Sequence, residues 1–127
     1  MRREFILAGA TIALALVAAA PANAVDVSKL VGTWKWTDFT VKSVTCNTNP
    51  SGAGLCMTVT AGPKNIGMEM IRSKFEDKAD GKFFAKVAHP ATGEIYNTNM
   101  TLTGDVWHMD GCTDAGVCAT GDFVRQK

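Results

Sequence analysis

The sequence VGTWKWT, residues 31–37, decides the fold that we predict for this chain. Gly32, Trp34 and Trp36 share one parity, so a strand over these residues places all three on one face and their polar neighbours on the other. This is the pattern of a half-buried strand that carries heavy aromatic side chains inward. A G-x-W motif in the first strand of a small β-rich chain indicates a barrel or a closed meander.

The first 24 residues have the three-part pattern of a secretory signal peptide. Paired arginines precede a short apolar run, and an A-x-A motif ends at Ala24, so we expect cleavage between Ala24 and Val25. The apolar run is shorter than the ~20 residues that span a bilayer, which makes a retained membrane anchor the weaker alternative. Residues 25–127 then form a single β-barrel domain without a stable membrane anchor.

The export signal places the mature protein in the bacterial periplasm or outside the cell. The general secretory route is favoured, and the opening RREFIL also resembles a twin-arginine signal. The signal peptide removes two Arg and one Glu, which leaves 11 basic and 11 acidic side chains in the mature chain. A net charge near zero argues against nucleic acid or anionic lipid as the main partner.

All four cysteines lie in the exported part, at Cys46, Cys56, Cys112 and Cys118. An even count in an oxidising compartment indicates two disulfides, for which three pairings exist. We favour Cys46–Cys56 and Cys112–Cys118, because each would close a loop between neighbouring strands and contribute at most about 2–3 kcal/mol. A four-cysteine zinc site is the alternative, but the spacings lack the closely paired cysteines that structural zinc sites use.

Turn signals recur about every ten residues and separate about eight short segments of strand character. The clearest is LCMTVTA, residues 55–61, which places Leu55, Met57 and Val59 on one face. The spacing predicts an all-β fold, a small antiparallel up-and-down barrel stapled by disulfides. The segments expected to form strands are 31–37, 41–46, 55–61, 66–73, 82–89, 94–103, 106–110 and 117–126, with 75–82 as an exposed hairpin loop.

Four motifs, in order and at suitable spacing, give the chain a resemblance to a family of exported bacterial proteins, the domain of unknown function 2147. The first motif is a G-x-W-K start, at Gly32-Thr33-Trp34-Lys35, and the second is a turn that ends in Tyr, at His89-Pro90 with Gly93 and Tyr96. The third is a Gly-Cys step with a later Cys, at Gly111-Cys112 with Cys118, and the last is a closing aromatic-x-Arg, at Phe123-Val124-Arg125.

This resemblance implies a lipocalin-like barrel in which the tryptophan of the first strand packs against an arginine near the end of the chain. Trp34 would then contact Arg125, and Gly32 would share this structural role. The chain departs from the family pattern at His89, where Asp is usual, at Ala119, where Gly is common, and at Phe123, where Trp is common. As a fold analogy, the resemblance assigns no chemistry.

The candidate catalytic residues are His108 and Asp110, two positions apart on one strand, with His89 and Glu94 near them. Two imidazoles and a carboxylate could hold a metal or transfer protons. Solvated side chains at a strand end are the favoured interpretation, because no third ligand is specified by spacing. The sequence has no G-x-S-x-G motif and no P-loop, so we expect neither an enzyme nor a cofactor.

The inventory of inward apolar side chains is more informative about function. An eight-stranded barrel either fills its interior or holds one small ligand, and both outcomes remain open here. The candidate cavity residues combine rigid aromatic rings with adaptable methionines; they are Trp36, Met57, Val59, Tyr96, Met100 and Trp107, with Met109 beside them.

The leading functional hypothesis is therefore an exported periplasmic lipocalin-like module that binds a small apolar or amphipathic ligand. The alternative is an envelope protein that contacts a protein partner through loops such as residues 47–54. A metal-dependent enzyme or metal carrier centred on His89, His108 and Asp110 is the least favoured hypothesis.

Overall fold

A computed structural model describes residues 26–47 and 52–127, and this part of the chain is all-β, as predicted. The proposed signal peptide and its cleavage site lie outside the described residues. Two short 3-10 helices accompany the sheet, Val27–Leu30 and Ala79–Gly81. The eight strands are β1 Gly32–Trp36, β2 Phe39–Thr45, β3 Leu55–Ala61, β4 Glu76–Asp77, β5 Phe83–Ala88, β6 Ile95–Thr103, β7 Val106–Cys112 and β8 Cys118–Arg125.

All eight strands belong to one antiparallel sheet with the order β3-β2-β1-β8-β7-β6-β5-β4. Each strand pairs with its neighbour in sequence, except that β3 and β4 do not pair and β1 pairs with β8. The first and last strands are thus adjacent, and the sheet curls into a half-barrel. The predicted up-and-down architecture of about eight strands is confirmed.

Strands β3 and β4 are the two edges of the sheet and do not pair with each other. The segment 67–72 lies between β3 and β5 and joins these two sides of the sheet. The Met70 N–H donates to the Met57 carbonyl at 2.7 Å, and the Ala88 N–H donates to the Met70 carbonyl at 2.8 Å. Isolated bridges from Glu69 to β3 and from Ile71 to β5 complete the connection. The segment therefore contacts β3 with its first residues and β5 with its last.

This change of partner explains why the strand expected over 66–73 is absent. A segment that moves from one neighbour to another within six residues forms single bridges and cannot build a continuous ladder. The short strand β4 lies further on, inside the segment 75–82 that the sequence predicted to be a hairpin loop, where Glu76 pairs with Phe84. Alternation alone does not show which strand a segment will pair with.

The turn between β1 and β2 is tighter than the sequence indicated. Trp36 pairs directly with Phe39, so Thr37 and Asp38 alone form the turn. Thr37 has φ of 50°, which β-branched residues rarely adopt, and the sequence therefore carries no recognisable turn signal at this point. Strand β2 begins at Phe39 for this reason, two residues before the predicted start, and Phe39 is buried in the core.

The barrel has two distinct ends, which we name by their loops. The lower end carries the 3-10 helix Val27–Leu30 and the turn at Gly104-Asp105, and the upper end carries the loops 62–67, 89–94 and 113–117. The disulfide Cys46–Cys56 lies at the lower end and Cys112–Cys118 at the upper end. Both favoured pairings are present in the structure.

The lower end is closed by a cluster around Trp34, which is fully buried. The guanidinium of Arg125 lies over the Trp34 ring, 4.2 Å from its centroid, and the Trp34 indole N–H donates to the Leu30 carbonyl at 3.0 Å. Trp107 meets Trp34 edge to face at 5.3 Å. Gly32 has φ of 147°, and a Cβ there would lie 2.7 Å from an Arg125 nitrogen, so glycine is needed for this contact.

Within residues 26–47 and 52–127, no helix has the length and apolar character needed to cross a bilayer.

Replacing Trp34 with Ala is expected to lower the free energy of unfolding by about 3–5 kcal/mol, because a fully buried indole with a bonded N–H is lost. Urea unfolding measures this. The matched control is Trp36→Ala, which removes a half-buried ring whose N–H has no partner among residues 26–47 and 52–127 and should cost less. Equal losses for the two variants would contradict the assignment of Trp34 as the anchor of the lower end.

Replacing Glu69 with Ala is expected to destabilise the protein by about 2 kcal/mol. One oxygen of the Glu69 carboxylate accepts from the Met57 N–H at 2.7 Å and from the Ile71 N–H at 3.0 Å, and so joins the segment 67–72 to β3. Glu69→Gln keeps an acceptor oxygen at the same place and should retain most of the stability. If Glu69→Gln lowered the free energy of unfolding as much as Glu69→Ala, hydrogen bonding by Glu69 would not be what joins the segment 67–72 to β3.

Candidate functional site

A solvent-open apolar cleft lies at the upper end of the barrel, and we call it the upper cleft. Its cavity volume is about 50 Å³, enough for a few water molecules or a small chemical group. The side chains that define it are Trp36, Met70, His89, Tyr96, Met109 and Phe123. This space is far smaller than a drug-sized pocket of roughly 300–1,000 Å³, so the cleft can take the end of a ligand rather than a whole large one.

The cleft exists because β7 and β8 carry small residues where their inward positions reach the upper end. Gly111 follows Trp107 and Met109 on the inward face of β7, and Ala119 and Gly121 precede Phe123 on β8. The Trp36 indole lies over Gly121, where a Cβ would be 2.5 Å from its Nε1. The absence of a side chain at Gly121 therefore leaves room for Trp36, while a Cβ at Gly111 would meet the backbone of β6 at Asn97 and Thr98.

Trp36 is the centre of an aromatic cluster beside this space. It stacks on Phe39 and Phe123, with ring centroids 6.1 and 5.7 Å away, and meets His89 edge to face at 5.2 Å. Tyr96 lies 5.5 Å from the His89 ring on the far side. The β1–β8 ladder ends before Trp36 and Phe123, so ring stacking continues the contact between these strands.

The loop 89–94 holds His89 in place through its own backbone. The His89 N–H donates to the Glu94 carbonyl at 2.8 Å, and the Gly93 N–H donates to the His89 carbonyl at 2.7 Å. The Asn65 side chain donates to the Pro90 carbonyl at 2.7 Å and ties the loop 62–67 to this turn. The imidazole is therefore positioned by two loops rather than by a regular strand.

His89 is held in its neutral form with a defined tautomer. The Ala91 N–H donates to Nδ1 at 3.0 Å, so Nδ1 carries no proton and Nε2 carries one. Burial lowers the pKa of His89 below its ordinary value of 6.5, and the nearby Glu94 carboxylate opposes this only in part. At neutral pH the upper cleft thus presents an uncharged imidazole N–H.

The structure divides the candidate cavity residues into two groups. Trp36 and Tyr96 line the upper cleft, together with Met109. Met57, Val59, Met100 and Trp107 lie in the core below it, each at most 1% exposed, and the Trp107 indole N–H points at the Met100 sulfur at 3.3 Å. The interior is thus filled over most of its depth, and the upper cleft is the open space beside the upper loops.

The residues considered for a metal or acid-base site do not come together. His108 lies on the outer face of β7 and contacts the Asp122 carboxylate at 2.6 Å, while His89 lies in the upper cleft. Asp110 is exposed on the same outward face as His108. Among the residues that the structure describes, no three His, Cys, Asp or Glu side chains are grouped so that they could hold a metal ion.

A second depression, of about 510 Å³, opens at the lower end. It lies between the 3-10 helix Val27–Leu30 and the segment 77–83, and charged side chains of both signs surround it, including Asp26, Lys29 and Lys82. Leu30, Phe83 and Leu102 add apolar surface, so the depression mixes charged and apolar side chains. The loop proposed as a protein-binding surface, residues 47–54, lies partly outside the described residues, since 48–51 are not among them.

Sequence reasoning missed the residues that create the space. Gly111, Ala119 and Gly121 were not recognised as cleft residues, because a small side chain gives no sign of what lies opposite it. The alternation of β8, with two small inward residues before Phe123, was the available signal. His89 was noticed for its chemistry, but its place beside Trp36 depends on the fold of two loops.

No protein-family model, no curated protein and no solved structure matches this chain. The resemblance to the domain of unknown function 2147 family therefore stays a prediction.

The protein is expected to lose stability as the pH falls below about 6.5, because His89 binds a proton more readily in the unfolded chain than in the cleft. Urea unfolding at pH 7, 6 and 5 measures the loss. His89→Gln should show a smaller loss over this interval than the native protein.

The matched control for this experiment is His108→Gln, which removes the other histidine from the outer face. The His108→Gln variant should still show the loss of stability at low pH that is caused by protonation of His89. If the native protein and His89→Gln lost stability equally between pH 7 and 5, His89 would not be the group whose protonation opposes folding.

Proposed function

We propose that this protein is an exported binding module that holds the end of a small apolar or amphipathic ligand in the upper cleft. The observation that carries the proposal is an apolar, aromatic-lined space at the upper end of the barrel, above a core of buried side chains. Apolar clefts with a few polar groups are the usual form of small-molecule sites.

Export is part of the proposal and rests on two features. The first 24 residues carry the charge, apolar run and A-x-A motif of a signal peptide. Both disulfides are formed, and disulfides persist in oxidising compartments such as the periplasm. No reaction is assigned to the protein, because the proposed role is binding.

The construction of the barrel supports a rigid site. Strands β7 and β8 are paired over seven residues each and end in the Cys112–Cys118 disulfide beside the cleft. His89 is held by four hydrogen bonds in and around its loop. A site that is formed before the ligand arrives avoids the entropic cost of ordering loops on binding.

Protein purified after export, incubated with a cell extract and examined by native mass spectrometry, is expected to retain a bound small molecule. Ala119→Leu should reduce retention at least tenfold, because Ala119 faces the cleft and the larger side chain fills it. Val124→Leu introduces the same side chain on the outward face of the same strand and should bind as the native protein does.

Circular dichroism and urea unfolding establish that both variants are folded before the comparison is made. Recovery of ligand-free native protein alone would overturn the proposal. A ligand retained equally by Ala119→Leu would place binding outside the upper cleft and would overturn it as well.

A further inference from the structure

Three polar groups around the upper cleft have no hydrogen-bond partner among residues 26–47 and 52–127. They are the Trp36 indole N–H, the Tyr96 hydroxyl and the His89 Nε2–H. The other two tryptophans behave differently: the Trp34 N–H donates to the Leu30 carbonyl and the Trp107 N–H points at the Met100 sulfur. None of the three atoms is sealed from solvent, since among the described residues the buried, unpaired side-chain polar atom is Ser43 Oγ, so each of the three can exchange a water molecule for a ligand atom.

Tyr96 provides the strongest of these observations. Its side chain lines the cleft and the residue is only 9% exposed, yet no described residue bonds to its hydroxyl. The neighbouring inward residue on β6, Thr98, is more deeply buried, and its hydroxyl donates to the Tyr96 carbonyl at 3.0 Å. The Tyr96 hydroxyl is thus a polar group of a cleft-lining residue that has no partner among the described residues and remains accessible to solvent.

The charges around the cleft exclude ionic ligands. Among the residues that the structure describes, no Lys or Arg lines the space, so a carboxylate or phosphate would have no counter-charge. Asp110 reaches the lining, but the alternation of β7 turns its side chain outward, and His89 is neutral. A cation would likewise lose its hydration without an inward carboxylate, and the Trp36 ring surface that could attract it stacks on Phe39 and Phe123.

Once ionic ligands are excluded, the ligand class that suits the cleft is a neutral group that accepts hydrogen bonds. The indole N–H and the imidazole Nε2–H are donors only, and the tyrosine hydroxyl can donate. We infer that the upper cleft takes an uncharged oxygen acceptor, such as a ketone, amide or ester carbonyl, attached to a short apolar chain. This inference rests on the proposed binding function and specifies its ligand class.

The size of the space agrees with this ligand class. A cavity of about 50 Å³ admits a carbonyl and the carbons next to it, while a longer chain extends through the open mouth. Met70, Met109 and Phe123 provide apolar contacts for those carbons. The polar atoms then lie around the oxygen and the apolar atoms around the chain, as in the usual small-molecule site.

Four probes of similar length test the inference by NMR titration of 15N-labelled protein. They are 2-hexanone, 2-methyl-1-hexene with a CH2 group in place of the oxygen, hexanoate and hexylammonium. We expect 2-hexanone to bind at least tenfold more tightly than either ion. It should also shift the Trp36 indole N–H resonance, identified by its loss in Trp36→Phe, and leave those of Trp34 and Trp107 nearly unmoved.

Tyr96→Phe separates hydrogen bonding from apolar contact. Loss of one hydrogen bond should weaken 2-hexanone about three- to tenfold and leave 2-methyl-1-hexene unchanged. Equal weakening of both probes, or of neither, overturns the inference, as does hexanoate or hexylammonium binding as tightly as 2-hexanone. If 2-methyl-1-hexene binds in the cleft but 2-hexanone shows no hydrogen-bond dependence, the ligand class is wrong and the binding function stands. If no probe perturbs a cleft resonance, both are overturned.

Discussion

The contact between Arg125 and Trp34 joins the two ends of the chain, and the barrel depends on it. The β1–β8 ladder contains only two residue pairs, Trp34 with Arg125 and Lys35 with Val124. Arg125 strengthens this short ladder by donating to the Val31 carbonyl at 2.6 Å and the Lys29 carbonyl at 2.9 Å. Its guanidinium thereby satisfies carbonyl groups at the lower end while its flat face covers the indole.

Asp105 completes this arrangement from the turn between β6 and β7. Its carboxylate accepts from Lys127 at 2.9 Å and from Arg125 at 3.0 Å, and these hydrogen bonds lower the pKa of the Asp105 carboxyl. Arg125 is therefore positioned by groups from three parts of the chain. Lysine at 125 could not make these contacts, because its ammonium lacks the planar fork of donors.

Strands β1 and β8 are joined differently towards the two ends of the barrel. Towards the upper end the β1–β8 ladder stops at Lys35 and Val124, and the strands are joined above it by the stacked rings of Trp36 and Phe123. The small inward residues of β7 and β8 lie at this same level, so no side chain fills the space beside the rings. One end of the barrel is stabilised by packing and by the contact between Arg125 and the Trp34 ring, and the other retains the upper cleft.

The sequence by itself determined the local properties: the period-two alternation, the turns, the even number of cysteines and the inward placement of Trp34 and Trp36. These suffice for an antiparallel barrel, because strand faces and turn positions are encoded in neighbouring residues. The tertiary structure alone decided that 67–72 bridges two strands, that Thr37 makes a tight turn, and that Trp36 lines a cleft while Trp107 fills the core. A cavity forms where side chains are absent from several strands at once, and a polar group is unpaired only relative to everything around it. Such properties belong to the assembled barrel and to no single segment of the chain.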